Sequence, residues 1–224
     1  MSFVVAIDGP AGAGKGTITT LVGEKLNLVN VDTGATFRCV ALNMLKENVG
    51  IDEEEKIKTL LEKINIEMYP EGEIFLNGED VTKRIRENDV NNFVSPVSTI
   101  KVVRDKLLEI QRKIAEGKNV IMEGRDIGTV VFPNANVKIY LDATPEERAK
   151  RRVLQNEEKG IKTSYEEVLE NIKDRDKRDS NRKVAPLKKA DDAIYIDSSN
   201  MTIDEVVENV IALINDKYNN SKVK

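Results

Sequence analysis

The sequence predicts an α/β fold built on a parallel sheet of about five strands. Short apolar runs alternate with longer amphipathic segments, and a glycine-rich loop follows the first run. Apolar runs of this length are typical of buried strands, and parallel neighbours need crossovers such as the intervening helical segments provide. The predicted strands cover residues 3–7, 28–31, 119–122, 137–141 and 193–196.

The glycine-rich loop is the most specific feature of the chain. In order, it holds Gly9, Pro10, Ala11, Gly12, Ala13, Gly14, Lys15, Gly16 and Thr17. Glycines let backbone N–H groups curve around phosphate oxygens, and the start of the following helix adds free N–H donors. Lys15 supplies an ammonium group for the outer phosphates. We therefore predict a phosphate-binding loop (P-loop); the alternative is a glycine-rich turn with an incidental lysine.

The loop departs from the common P-loop pattern at one position. That pattern places Ser or Thr directly after the lysine, where the hydroxyl binds Mg²⁺. Here Gly16 occupies the position, and the hydroxyl comes one residue later, at Thr17. Direct ligation of magnesium by the loop is therefore not predicted, and the variant resembles nucleoside monophosphate kinases more than GTPases.

Composition excludes several function classes. The 224 residues include no histidine, which rules out Ser-His-Asp hydrolysis and histidine-based zinc sites, whereas phosphoryl transfer needs mainly positioning and charge neutralisation. The net charge of −4 gives no general attraction to nucleic acid or to an anionic membrane. No apolar run approaches the roughly 18 residues of a membrane span. A single cysteine and no visible signal peptide lead us to expect a cytoplasmic protein.

Charged residues follow two of the predicted strands, at the sheet edge where ligands bind in open α/β folds. Residues 32–38 follow the second strand. Asp32 or Thr33 could simply cap a helix there, whereas Arg38 opposes the helix dipole and so indicates an anionic partner.

The third strand is followed by Glu123, Arg125 and Asp126. Glu123 occupies the position that holds magnesium directly or through water in many P-loop proteins. Arg125 and Asp126 would point into the same crevice. The alternative interpretation of this stretch is a solvated turn.

Two later stretches are rich in arginine and spaced for one helix face each. They comprise Arg148, Arg151 and Arg152, then Arg175, Arg178, Asp179 and Arg182. Like charges at this spacing repel, so a shared phosphate explains them better than a solvated face, although the solvated face stays open. Between them, residues 155–163 are polar and contain Gly160, which predicts a mobile lid.

Two local predictions concern the segment between the second and third strands. Residues 64–82 alternate with period two and contain Pro70, Gly72 and the pair Asn77-Gly78, which predicts a small antiparallel β element. The pair Ser95-Pro96 predicts the start of a helix that runs to about residue 116.

Four motifs give the whole chain a resemblance to the bacterial type of cytidylate (CMP) kinase. They are IDGPAGAGKGT at 7–17, DTGATFR at 32–38, EGRDIGTVVFP at 123–133 and RDKRDSNRKVAPL at 175–187. The resemblance implies a P-loop core at 1–36 and 97–224, with a short lid at about 150–163. It also implies a nucleoside monophosphate-binding part at 37–96, which contains the β-rich insertion at about 64–82.

The resemblance also implies roles for individual residues. Ser95, Arg104 and Asp126 would read the cytosine ring, Arg175 and Asp179 would hold the sugar, and Arg38, Arg125 and Arg182 would surround the acceptor phosphate. Thr33 belongs to the same monophosphate-binding set and stands where the family often has Ser. Phe37 stands where the family often has Tyr, and Glu123 where Asp is common.

We therefore expect transfer of the γ-phosphoryl group of ATP to CMP or dCMP, with Mg²⁺ bridging the donor phosphates. Lys15, Arg125 and Arg182 would be catalytic, together with Arg148 and Arg152 on the lid. We expect a monomer with no nucleic-acid or membrane partner. Two alternatives stay open: UMP or a non-nucleotide alcohol as acceptor, and a GTPase-like switch, which would need an Asn-Lys-x-Asp motif that the sequence lacks.

Overall fold

The structure, a computed structural model, describes residues 2–69, 72–158 and 160–222. Its strands are β1 Val4–Asp8, β2 Val29–Asp32, β3 Ile66–Met68, β4 Ile74–Leu76, β5 Glu79–Asp80, β6 Val120–Gly124, β7 Val137–Asp142 and β8 Ile194–Asp197. Its α-helices are α1 Lys15–Leu26, α2 Thr33–Lys46, α3 Glu54–Glu62, α4 Asn88–Val97, α5 Lys101–Ala115, α6 Pro145–Glu158, α7 Tyr165–Asn181 and α8 Ile203–Lys222. A 3₁₀ turn at Arg84–Arg86 and a π-helical turn at Ile127–Val131 complete the described elements.

The predicted five-stranded parallel sheet is confirmed, in the order β2-β6-β1-β7-β8. Strand β1 pairs with β6 and with β7, and β7 pairs with β8, all in parallel. In the β1–β6 register Asp8 lies opposite Gly124, so the carboxyl ends of these two strands are side by side. The loops that follow them, which carry the P-loop and Arg125, therefore start from one edge of the sheet.

Backbone contacts divide the chain into two compact units. One comprises residues 1–2 and 29–119, and the other comprises residues 3–28 and 120–224. The core of the first is formed by apolar side chains from α2 to α5 and from β3 and β4. The core of the second lies between α1 and α8 on one side and the inner strands β1, β6 and β7 on the other.

The predicted β element is present as the antiparallel sheet β3-β4-β5. Asn77 and Gly78 connect β4 to β5, and both have positive φ (52° and 84°), as a type I′ hairpin turn requires. Pro70, part of the same prediction, lies outside the described residues. Strands β3 and β4 pair with Ile66 opposite Leu76, and both side chains are buried in the core of this unit.

The predicted helix start at Ser95-Pro96 is wrong. Pro96 lies in the last turn of α4, and the next helix starts at Lys101. The buried side chains Val90, Val94 and Val97 recur at helical spacing through the proline, so burial of this face carries α4 past Ser95. A proline near the end of a helix costs one backbone hydrogen bond, and the Ser98 N–H still donates to the Val94 oxygen.

Helix α6 extends through most of the stretch that the sequence assigns to the lid. Of the lid residues predicted at about 150–163, residues 150–158 belong to α6, and a loop from Gly160 leads to α7. Lys159 lies outside the described residues. At the start of α7, Ser164 accepts from the Glu167 N–H and the Glu167 side chain accepts from the Ser164 N–H, which is a complete capping box that fixes this helix end.

Candidate functional site

The P-loop follows β1 directly and ends in the first turn of α1. A side chain at Gly9 would bring its Cβ to 1.9 Å from the Leu141 carbonyl oxygen of β7, so this close approach requires glycine. Gly14 precedes α1 in the left-handed conformation (φ 89°), which also favours glycine. The backbone thus has the curvature and the helix N-terminus on which a phosphate binds.

Lys15 is buried, with 4% of its surface exposed. Its Nζ donates to the carbonyl oxygens of Gly9 and Pro10, at 2.8 Å each. Burial and then Arg125 lower the pKa of Lys15 to about 7, while Glu123 and Asp8 oppose this shift. An incoming phosphate would favour the charged ammonium form, because an anion stabilises a nearby cation.

Glu123 near the end of β6 lies against Gly16. A Cβ at Gly16 would be 3.0 Å from Glu123 Oε1, which is tighter than nearly all real Cβ contacts. A Ser or Thr at this position, as in the common P-loop pattern, would therefore displace the carboxylate. Glycine at position 16, in place of the usual Ser or Thr, therefore leaves the space that the Glu123 side chain occupies.

Asp8, the last residue of β1, is a buried carboxylate that the sequence analysis did not single out. Its Oδ1 accepts from the Ile127 N–H and its Oδ2 from the Gly128 N–H, at 2.8 Å each. Burial is the main reason that its pKa rises to about 6. In the sequence, the acidic residue between an apolar strand and the P-loop is the feature that indicates a buried carboxylate here.

Two ion pairs join the segment after β6 to α7 and the residue that follows it. Arg125 Nε lies 3.1 Å from Asp179 Oδ2, and Arg182 Nη2 lies 3.6 Å from Asp126 Oδ1. The side chains of the second pair are both less than a tenth exposed. Arg175 is half-buried on the same helix. The structure therefore brings together four of the predicted site residues, in two pairs of opposite charge.

The first arginine cluster is divided among different surroundings. Arg148 is buried and donates to the carbonyl oxygens of Ala143 and Ala11, and it pairs with both carboxylate oxygens of Asp176. Arg151 donates to the backbone oxygen of Ser198, at 2.6 Å. Arg152 is exposed. Arg148 thus ties the P-loop, through Ala11, to α7.

The unit formed by residues 29–119 holds the remaining predicted residues. Asp32 caps α2, since its Oδ1 accepts from the Ala35 N–H at 3.1 Å, and the capping interpretation of this residue is confirmed. Arg38 Nη1 lies 3.4 Å from Asp32 Oδ2. Its Nε is buried and makes no hydrogen bond within the described residues. Thr33, in the first turn of α2, is buried.

Arg104 is buried in the same unit, on α5. Its Nη1 donates to the Ser98 carbonyl oxygen at 3.0 Å, and its guanidinium carbon lies 5.2 Å from the centroid of the Phe37 ring. Ser95, in α4, is half-buried, and its carbonyl oxygen accepts from the Ser98 hydroxyl. Ser98 therefore connects Arg104 to the turn that contains Ser95.

In the described part of the chain, no three His, Cys, Asp or Glu side chains gather into a group that could hold a metal ion by themselves. Among the helices described, none combines the length and apolarity that crossing a membrane requires.

Comparison with known proteins decides the family. The model of the cytidylate kinase family matches residues 5–216. The chain belongs to the cytidylate kinase family. A cytidylate kinase of Fusobacterium nucleatum is 50% identical over 206 residues, which are 92% of this chain and 94% of that protein. A second, of Clostridium botulinum, is 46% identical over 96% of this chain and 98% of its own length. The predicted resemblance and the predicted enzyme class, a kinase, are confirmed.

Solved structures agree on the fold of this family member. An uncharacterized protein from Eubacterium ventriosum matches with a TM-score of 0.53 at 14% identity, over 96% of this chain and 99% of that one. A gluconokinase from Sinorhizobium meliloti matches with a TM-score of 0.51 at 10% identity, over 99% and 96% of the two chains. At such identities these matches support the α/β fold alone.

Proposed function

We propose that this protein transfers the γ-phosphoryl group of ATP to CMP or dCMP, giving ADP and CDP or dCDP. The observation that carries the proposal is the arrangement at the carboxyl ends of β1 and β6. There, a P-loop with a buried lysine follows one strand, and Arg125 and Asp126 follow the other. Membership of the cytidylate kinase family supports cytidylate as the acceptor.

The donor phosphates would bind to the P-loop N–H groups and Lys15. Lys15 Nζ now donates to two carbonyl oxygens of its own loop, and these bonds are those it would exchange for phosphate oxygens. The bond from Arg148 to the Ala11 carbonyl keeps the loop in shape during this exchange. Pre-organised donors stabilise charge that develops on the phosphates without reorganising at the moment of reaction.

The described residues fit a magnesium ion that arrives with the nucleotide. Mg²⁺ keeps several waters and takes most of its oxygen ligands from substrate phosphates, so one nearby carboxylate is sufficient. Glu123, which lies beside Gly16, would be that carboxylate and would hold the ion through water. When bound, Mg²⁺ neutralises charge on the donor phosphates.

The acceptor phosphate would be held by Arg38, Arg125 and Arg182. The buried Nε of Arg38 supports this role, because an anion would give that donor the partner a buried N–H requires. Arg125 and Arg182 are paired with Asp179 and Asp126, so they are already oriented before a phosphate arrives. A phosphate monoester is largely ionised near neutral pH, so the reaction needs no strong base.

The cytosine ring would be read by Ser95, Arg104 and Asp126. Arg104 donates a hydrogen bond to the carbonyl oxygen of Ser98, three residues after Ser95. A carboxylate accepts from the exocyclic amine of cytosine, and a guanidinium donates to its N3 and O2 atoms. Uracil reverses the pattern at the amine and at N3, which would leave buried groups unpaired. Thr33 would belong to the wider set of residues that bind CMP. Arg175 and Asp179 would contact the sugar.

Charge on the migrating group would be neutralised from α6. Arg152 is exposed and therefore able to move toward a nucleotide. We propose the same role for Arg148. Its hydrogen bonds to Ala11 and Asp176 would also hold the P-loop against α7. The proposal includes closure of a lid at about 150–163, which would exclude water and suppress hydrolysis of ATP.

The direct test follows the phosphoryl group itself. With γ-labelled ATP and CMP, we expect the label in CDP, and we expect Lys15→Met to abolish the transfer. Lys25→Met makes the same change at an exposed lysine in the last turn of α1 and is the matched control, which should retain activity. Release of the label only as inorganic phosphate, or transfer that survives Lys15→Met, would overturn the proposal.

A further inference from the structure

Asp8 makes two hydrogen bonds to the backbone just beyond two proposed site residues. Its carboxylate oxygens accept separately from the Ile127 and Gly128 N–H groups, and its side chain is 4% exposed. These two amides start the π-helical turn Ile127–Val131. Because both oxygens are used, the carboxylate fixes the orientation of this turn as well as its distance from β1.

The backbone of Asp8 holds the other end of the same short stretch. In the β1–β6 register Asp8 lies opposite Gly124. Between Gly124 and Ile127 there are only Arg125 and Asp126. One residue of β1 therefore anchors the chain on both sides of these two side chains.

We propose that Asp8 is a positioning residue that sets where Arg125 and Asp126 point, and thereby contributes to the choice of cytosine over uracil. This inference rests on the proposed function, in which Arg125 holds the acceptor phosphate and Asp126 reads the base. Asp8 touches neither substrate in this account. It acts through the backbone that carries the two residues.

The environment of Asp8 makes its two bonds sensitive to protonation. Burial and then Asp126 favour the neutral acid, whereas the two N–H groups and Lys15 favour the carboxylate, and the balance raises the pKa of Asp8 to about 6. Tyr140 faces Asp8 from β7, and the Lys138 side chain packs on Gly128. A protonated oxygen would point a donor at an N–H donor, so one of the two bonds would be lost.

Gly128 offers a second route to the same bonds. An added Cβ there would lie 3.4 Å from Asp8 Oδ2 and 3.1 Å from the Lys138 Cδ atom. Gly128→Ala therefore forces the Lys138 side chain to shift, places a methyl group in van der Waals contact with the Asp8 carboxylate, and leaves Asp8 itself in place. If Asp8 acts by positioning, both changes should have the same kind of effect.

The kinetic test compares Asp8→Asn with Asp197→Asn. Asp197 is the matched control, because it also ends a strand of the sheet and its Oδ1 accepts from the Ser199 N–H and hydroxyl. Asp8→Asn keeps the shape but turns an amide NH₂ toward an N–H group. We expect the CMP-to-UMP ratio of kcat/KM to fall about tenfold or more, because small misplacements of groups at a reacting centre cause large losses of rate. Asp197→Asn should keep the ratio, and an unchanged ratio in Asp8→Asn would overturn the proposal.

Hydrogen exchange tests the same inference without the reaction. In the protein without nucleotide, the Ile127 and Gly128 amides should lose protection in Asp8→Asn and in Gly128→Ala. In the unsubstituted protein, their protection should fall as pH drops from 7 to 5.5. Unchanged protection in all three measurements would overturn the positioning role even if CMP is the substrate. Conversely, if CMP is not phosphorylated, the proposed function fails while the exchange result still decides whether Asp8 holds this backbone.

Discussion

The guanidinium carbon of Arg104 lies 5.2 Å from the centroid of the Phe37 ring, and the Arg104 Nη1 donates to the Ser98 carbonyl oxygen. The buried arginine is thus held by a π face and a backbone acceptor at once. By resemblance, Phe37 stands where the family often has Tyr, which in the sequence suggests only a lost hydroxyl. The structure shows that the ring itself packs against the residue proposed to read cytosine.

Replacement of Phe37 should therefore weaken base recognition more than folding. We expect Phe37→Leu to raise the KM for CMP several-fold and to lower the CMP-to-UMP ratio of kcat/KM, because the flat surface under Arg104 is lost. Phe37→Tyr keeps the ring and should stay close to the original protein. Steady-state kinetics with both acceptors decides this; equal ratios in the Leu and Tyr variants would refute the stacking role.

The contact between Gly16 and Glu123 predicts a paired effect. Gly16→Ala would place a Cβ 3.0 Å from Glu123 Oε1, so the carboxylate must move and kcat should fall about tenfold, as with other small displacements near a reacting group. Glu123→Asp shortens the side chain and should restore part of the activity in the double variant. Titration of Mg²⁺ in each variant measures the shift. A double variant no better than Gly16→Ala would contradict the idea.

Arg125 and Arg182 should matter for turnover far more than for stability. Replacing either by Ala removes charge from the acceptor phosphate, and we expect kcat to fall by about 10² to 10³, comparable to the loss of other pre-organised donors. Thermal unfolding followed by circular dichroism should show a folded protein in each case. Near-normal turnover in both variants would remove them from the acceptor site.

Binding of ATP should take up a proton at pH 8. The pKa of Lys15 is lowered to about 7, so most of the side chain is neutral at pH 8, and phosphate oxygens would restore the ammonium form. Affinity should accordingly weaken as pH rises above 7. Calorimetry in buffers of different ionisation enthalpy counts the protons, and Lys15→Met should abolish the uptake. The same uptake in that variant would show that another group is responsible.

Much of the fold could be predicted because its signals are local. The apolar runs, the P-loop and the Asn77-Gly78 turn each depend on a few consecutive residues, and the structure contains all three. Pro96 was misassigned because the burial of Val94 and Val97 in α4, which depends on tertiary packing, outweighs the tendency of Ser-Pro to start a helix.

Less of the site could be predicted from the sequence, because its geometry depends on residues far apart in the chain. Arginine spacing predicted a shared anion for Arg148, Arg151 and Arg152, but not that Arg148 is paired with Asp176 and bonded to the P-loop. Asp8 was overlooked for the same reason. Its partners, the Ile127 and Gly128 amides, lie about 120 residues further along the chain.

The acceptor is the central claim, and one assay tests it most directly. ADP production would be followed with ATP and Mg²⁺ while CMP, dCMP, UMP, AMP and GMP are offered separately. The account predicts fast turnover with CMP and dCMP and little with the other three. Fast turnover with UMP as well would contradict the roles of Arg104 and Asp126 in reading cytosine. No turnover with CMP or dCMP, although ATP binds, would contradict the proposed reaction itself.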